Sequence, residues 1–221
     1  MPKIKVPKHS PSIDMTPMVD LAFLLVTFFM LAANFRSDEP VQVETPSSIS
    51  DKLLPENVMV ITIDQIGRVY LNLKDPEARK EMLQNMSNAY KINFNDEQYE
   101  KFGFMESFGC TMQELPQYIN MSPEERKAVP TKGIPSDTTG QNQLKDWIYY
   151  GNIAALNTGK TKYEDAKLRG EAPDVNDFKP KFVLKVDGKA LYTSAQNVID
   201  VFRDLELNNL NFVTSLEQAP K

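Results

Sequence analysis

The sequence predicts an α+β protein: a single N-terminal membrane helix, then a domain outside the cytoplasm in which helices pack a small sheet. Three observations carry that expectation. Leu21 to Ala33 is free of charge and apolar, and it is the only stretch of the 221 residues suited to a bilayer. Val58 to Leu73 reads as two strands about the turn Gln65-Ile66-Gly67. Phe182 to Leu216 reads as strand, helix, strand.

The membrane helix comes first. Its thirteen charge-free residues make roughly 20 Å of helix, short of a hydrocarbon core of about 30 Å. Reaching that length requires a start near Met15 or Thr16, which draws Asp20 into the helix. An acid there costs a few kcal/mol, and such acids mark ion or proton pathways. Two other readings stay open at this level. Asp20 in the first turn would be tolerated near the headgroups. The stretch could also be a signal peptide, with Lys3, Lys5 and Lys8 as its basic region; an acid inside the apolar run argues against that. Asp20, Thr27 and Asn34 recur every seven residues and so share a face, with Thr16 one turn before Asp20. A polar stripe on an apolar helix suits a partner helix or a wet seam. For Thr27, bonding to its own backbone is as good a reading, and for Asn34, simply marking the interface.

Charge orients the segment. Residues 1–36 hold Lys3, Lys5, Lys8 and Arg36 against Asp14 and Asp20, a net of +2, which leaves −7 of the total −5 for the remainder. The basic start predicts a cytoplasmic N-terminus. The acidic remainder argues against nucleic acid as a partner. A lone Cys110 allows no intrachain disulfide; it reads as a buried small hydrophobe, with a bridge between chains as the alternative.

The remaining elements follow in order. Ser37 to Ser50, with Pro40 and Pro46, reads as a linker in which Val41-Gln42-Val43 could add an edge strand. Val58 to Ile63 and Arg68 to Leu71 are the hairpin strands. Pro76 to Tyr90 places Met82, Met86 and Tyr90 at four-residue steps of a helix. Asp96 to Phe108 is a second helix, and Ser122-Pro123-Glu124-Glu125 starts a third with a cap, a first-turn proline and a glutamate at N3. Pro130 to Gln143 is a loop. Leu144, Trp147 and Ile148 mark a fourth helix, and Thr158 to Asp177 reads as irregular. Phe182 to Val186 is a strand and Asp187-Gly188 a turn. Thr193 and Gln196 read as a capping box for a helix with Ala195, Val198, Phe202 and Leu205 on one stripe. Asn208-Asn209 ends that helix, and Leu210 to Leu216 is the last strand.

Little in the chain points to catalysis. His9, the single histidine, lies on the cytoplasmic side, so no Ser-His-Asp or Cys-His set forms in the exported domain. Cys110 alone makes no zinc site. Neither glycine-rich phosphate motif is present. Asp137, Asp165, Asp174 and Asp177 read as solvated loop acids. No enzyme activity, catalytic residue, metal or cofactor is expected.

The segment Met15-Thr16-Pro17-Met18-Val19-Asp20, running into Leu21 to Ala33, resembles the membrane helix of the ExbD/TolR family. Phe182 to Asp187, the Tyr192 region, the helix about Asn197 to Leu205 and the strand Asn211 to Thr214 are similar to its C-terminal part, and the hairpin fits its first strands. The resemblance implies a subunit of a proton-driven motor in a bacterial inner membrane. Two such chains would thread through a pentamer of a polytopic ExbB-like subunit and pass motion to a TonB-like protein, opening outer-membrane transporters. A Tol-type stator for envelope integrity and an anchored periplasmic scaffold or binding protein are the alternatives. By position, Asp20 would take the proton, with Thr16 and Pro17 shaping the helix start and Thr27 and Asn34 supporting. The implied layout is a cytoplasmic segment 1–14, a membrane helix 15–35, a periplasmic linker 36–56 and a periplasmic α+β domain 57–221. Family members join hairpin and later strand through one short helix; here Leu144 to Leu156 would be that helix, with a mainly helical insertion at about 74–143. The insertion could touch cell wall, the TonB-like protein or another subunit.

Overall fold

The computed structural model describes residues 15–32, 47–48, 57–136, 142–207, 209–213 and 215–216. The chain divides into two units, Met1–Ser37 and Asp38–Lys221. The first holds α1 (Thr16–Ala32); the second holds everything else described. A two-residue strand β1 (Ser47–Ser48) pairs in parallel with β6 (Ser215–Leu216). The edge strand expected at Val41-Gln42-Val43 lies outside the described residues.

The main sheet begins with β2 (Val58–Ile63) and β3 (Val69–Leu73), antiparallel in the register Met59 to Leu73 through Ile63 to Val69. Asp64 locks the turn between them. Its carboxylate accepts from the amides of Ile66 (3.0 Å) and Arg68 (2.8 Å) and from Arg68 Nε (2.6 Å). Gly67 takes φ +88°, which a side chain would resist, and an added Cβ would also strike Ser194. On its other side β2 pairs in parallel with β4 (Lys181–Val186), and β4 with β5 (Leu210–Val213), giving the order β3-β2-β4-β5. Central β2 is buried on both faces, which explains its almost continuous apolar sequence.

One face of this sheet carries the helices. α2 (Pro76–Tyr90) starts where Asp75 accepts from the Glu77 amide, with Pro76 in the first turn, and buries the expected Met82 and Met86. Tyr90 is half-buried and donates to Asp146 at 2.7 Å. α3 (Asp96–Phe104) has the capping box Asn95/Gln98. It stops four residues before the expected Phe108, because Phe108 exchanges backbone hydrogen bonds with Leu71 on the edge of β3. The Phe108 ring then meets Trp147 at 4.7 Å and Phe102 at 5.2 Å. α4 (Leu115–Asn120), which the sequence did not announce, follows, and then α5 (Pro123–Ala128) with the expected Ser122/Glu125 capping box.

The largest correction concerns α6 (Gln143–Leu168), 26 residues long. Sequence reading ended it near Leu156 and took Thr158 to Asp177 as irregular, yet it runs on to Leu168, and the short α7 (Val175–Phe178) follows. Asp165 therefore sits in a helix, Asp174 caps α7 and Asp177 lies within it, while Asp137 lies outside the described residues. The second half of α6 buries Ala154, Ala155, Gly159 and Ala166, small residues that leave no visible apolar stripe. Gly159 is required there, since a Cβ would collide with the Phe178 carbonyl.

α8 (Tyr192–Asp204) buries Val198, Val201 and Phe202 against the sheet, Phe202 meeting Phe182 at 5.3 Å. The capping box expected from Thr193 and Gln196 does not form: the cap is Leu191, without a side-chain hydrogen bond. Glu206, at φ 58°, reverses the chain two residues before Asn208. The last strand expected over Leu210 to Leu216 is divided: β5 joins the sheet and β6 pairs with β1.

Candidate functional site

α1 is built from helix-compatible apolar residues with a proline where it does no harm. The Met15 carbonyl accepts from the amides of Met18 and Val19, both at 3.1 Å, and closes the first turn. Pro17 has no amide to offer, but the first amides of a helix have no intrahelical partner in any case. Because α1 begins at Thr16, no acid lies in its first turn. Asp20 stands one turn further on, about 6 Å along the axis, past the unpaired amides that would welcome a carboxylate. Its side chain is exposed, and among the described residues nothing donates to it.

Apart from Thr16 and Thr27, the rest of α1 is apolar. Leu21, Phe23, Leu24, Val26, Phe28, Phe29 and Met30 are all more than half exposed. In water such a helix would leave an apolar patch far beyond what soluble surfaces tolerate. Among the described residues, no helix is long and apolar enough to cross a membrane. α1 itself has 17 residues, about 25 Å of rise, and the expected end at Phe35 lies outside the described residues.

The predicted stripe is only partly assembled. Thr16, Asp20 and Thr27 fall on one face of α1 by their spacing. Thr27 hydroxyl donates within its own helix, to Phe23 O at 2.9 Å and Leu24 O at 3.0 Å. Seven residues also place it about 10 Å along the axis from Asp20, too far for direct contact. Asn34 lies outside the described residues. The backbone bond of Thr27 was foreseeable, since a threonine in an apolar helix commonly satisfies itself on the preceding turn.

Among the described residues of the second unit, the buried acids Asp64, Asp75 and Asp187 all accept hydrogen bonds from nearby amides. Among its described residues no group of three or more His, Cys, Asp or Glu is arranged to hold a metal ion. Cys110 is buried, and burial, with help from Glu114, pushes its thiol up to about 12. It is thus a neutral core group in the folded state. Sequence reading missed a set of lysines about the α6–α7 seam; the signal available was Gly159 flanked by Lys160 and Lys162, with Lys179 and Lys181 beyond.

Residues 7–102 match the family model described as biopolymer transport protein ExbD/TolR. The chain is 29% identical over 114 residues to the biopolymer transport protein ExbD of Aquifex aeolicus, covering 50% of this chain and 84% of that one. It is 22% identical over 82 residues to a provisionally named biopolymer transport protein ExbD of Synechocystis sp., covering 37% of this chain and 30% of that one. No solved structure matches.

Proposed function

The chain belongs to the ExbD/TolR family through residues 7–102, and on that premise we propose that it is the proton-coupled subunit of an inner-membrane motor of the ExbB–ExbD type. In this reading α1 crosses the membrane with its N-terminus in the cytoplasm and the second unit in the periplasm. The chain pairs with a second copy inside a pentamer of a polytopic ExbB-like subunit and passes motion to a TonB-like protein. It acts as an accessory to transport and not as an enzyme. The observation that carries the reading is Asp20: an acid without a hydrogen-bond partner among the described residues, beyond the first turn of a helix whose other residues, save Thr16 and Thr27, are apolar.

The physics is a coupling of charge to position. A neutral carboxyl group is tolerated against an apolar partner surface, whereas a carboxylate costs about 3 kcal/mol at the centre of a membrane helix and needs a polar seam. Protonation therefore selects where Asp20 sits, and moving it selects its protonation. A proton crossing the membrane releases about 2.3 kcal/mol per 100 mV. The two energies are of the same size, so one can drive the other. The partner subunit supplies the rest of the path, because α1 holds no second acid. Thr16 and Pro17 set the helix start that fixes the depth of Asp20, Thr27 shares its face of α1, and by sequence spacing alone Asn34 would continue that face.

Replacement of Asp20 by Asn keeps the size and removes the titration. Energy-dependent uptake through outer-membrane transporters should be lost in Asp20→Asn and partly kept in Asp20→Glu; normal uptake in Asp20→Asn would end the proposal. Deletion of the gene separates the two roles within the family. Iron or vitamin starvation identifies the Exb type, and detergent sensitivity the Tol type.

A further inference from the structure

A cavity of about 280 Å³ opens where α6, α7 and the start of β4 meet, near the small end of the range for ligand sites. One close approach makes it. Gly159 lets the backbone of α7 lie directly on α6, and Asn57 Nδ2 holds the Phe178 carbonyl at 2.7 Å. Phe178 and Gly159 line the cavity as its apolar part.

The charged residues around it, Asp75, Lys162, Asp177 and Lys181, sum to zero, but only two of them are paired. Lys162 donates to one oxygen of Asp75 at 2.6 Å, and the other oxygen accepts from the Glu77 amide at 3.0 Å. Asp75 is thus committed. Lys181 and Asp177 share the cavity, yet no ion pair joins them, and neither side chain has another partner among the described residues. Asn57 adds a third unsatisfied group. Its Oδ1 is buried and accepts no hydrogen bond among the described residues. Native proteins rarely leave such an acceptor unpaired.

A free cation, a free anion and a spare acceptor in one small cavity select by charge. A simple anion gains Lys181 and is opposed by Asp177; a simple cation meets the reverse. A molecule that carries both charges satisfies both. Lys162 spends one of its three N–H groups on Asp75, which leaves donors for a carboxylate beside Lys181. We propose that this cavity binds a free α-amino acid with an apolar side chain. Its carboxylate lies on Lys181 and Lys162, its ammonium on Asp177 and Asn57 Oδ1, and its side chain against Phe178. The site belongs wholly to the second unit, so it stands whether or not Asp20 carries protons.

The test uses the full chain in detergent, with L-leucine as the probe and saturation-transfer NMR as the readout of binding. Titration with L-leucine should saturate. N-acetyl-leucine, which lacks the ammonium, and leucinamide, which lacks the carboxylate, should each bind about two- to fivefold more weakly, the equivalent of one partly solvated ion pair. Asp177→Asn should weaken leucine by the same factor and leave N-acetyl-leucine unchanged. Lys181→Gln should weaken leucine and leave leucinamide unchanged. Asp177 is exposed and Lys181 half-buried, so far-UV circular dichroism should match the parent in both variants. Signal that never saturates, equal affinity for the three compounds, or parental leucine affinity in both variants would overturn the proposal.

Discussion

Replacing Trp147 by Ala removes the centre of the helical layer. The indole is fully buried and is the single tryptophan of the chain. It lies 4.7 Å from the Phe108 ring and 6.1 Å from Phe102, joining α6 to α3 and to the segment paired with β3. Truncating such a residue costs about 3–5 kcal/mol. One contribution runs the other way: Nε1 is buried and has no hydrogen-bond partner among the described residues, and deleting an unsatisfied donor returns about 1 kcal/mol or more. The net expectation is about 3 kcal/mol, or roughly 6–12 °C in the melting temperature of a unit this size. Trp147→Phe keeps most of the ring contact and also removes the orphaned N–H, so it should lose about 1 kcal/mol or less. Urea unfolding followed by far-UV circular dichroism measures both, since neither variant retains tryptophan fluorescence. A loss below about 1 kcal/mol in Trp147→Ala, or equal losses in the two variants, would refute the reasoning.

Two further expectations concern the hairpin and the core thiol. Asp64→Ala deletes three hydrogen bonds at the β2–β3 turn and should cost about 2 kcal/mol after allowance for the partly exposed Arg68, while Asp64→Asn keeps the two amide contacts and most of the stability; equal urea midpoints for the two would contradict this. Cys110, held up at about 12 from an ordinary value of 9.0, should resist maleimide in the native protein and react on unfolding. Its folded value is raised, so the unfolded thiol ionises first: the stability it contributes is complete below about pH 9 and is lost as pH rises toward 12. Cys110→Ala should lose less stability than the parent over that range, and parallel curves would contradict the assignment.

Legibility tracked how locally each element is determined. The hairpin, α2, α5 and β4 were readable because strand alternation, proline at the helix start and capping side chains act within a few residues. The Thr193/Gln196 pattern is the same kind of signal and failed, since α8 starts two residues earlier than that box requires. α3 was drawn too long because its end is set by Phe108 reaching β3, a contact between distant residues. The second half of α6 was invisible since it buries alanine and glycine, whose role appears only when α7 lies against them. Asp20 is singled out by the sequence for an energetic reason, as an acid inside an apolar run is expensive. Thr27 was ambiguous because a hydroxyl can turn to a partner or to its own backbone, and here it takes the backbone.

Proton flux tests the central claim most directly. The chain, co-purified with its polytopic partner, is placed in liposomes holding a pH-sensitive dye, and a membrane potential is imposed. Acidification driven by the potential should appear with the parent and vanish with Asp20→Asn at equal incorporation. The same rate of acidification with Asn at position 20 would contradict the assignment of proton transfer to that side chain.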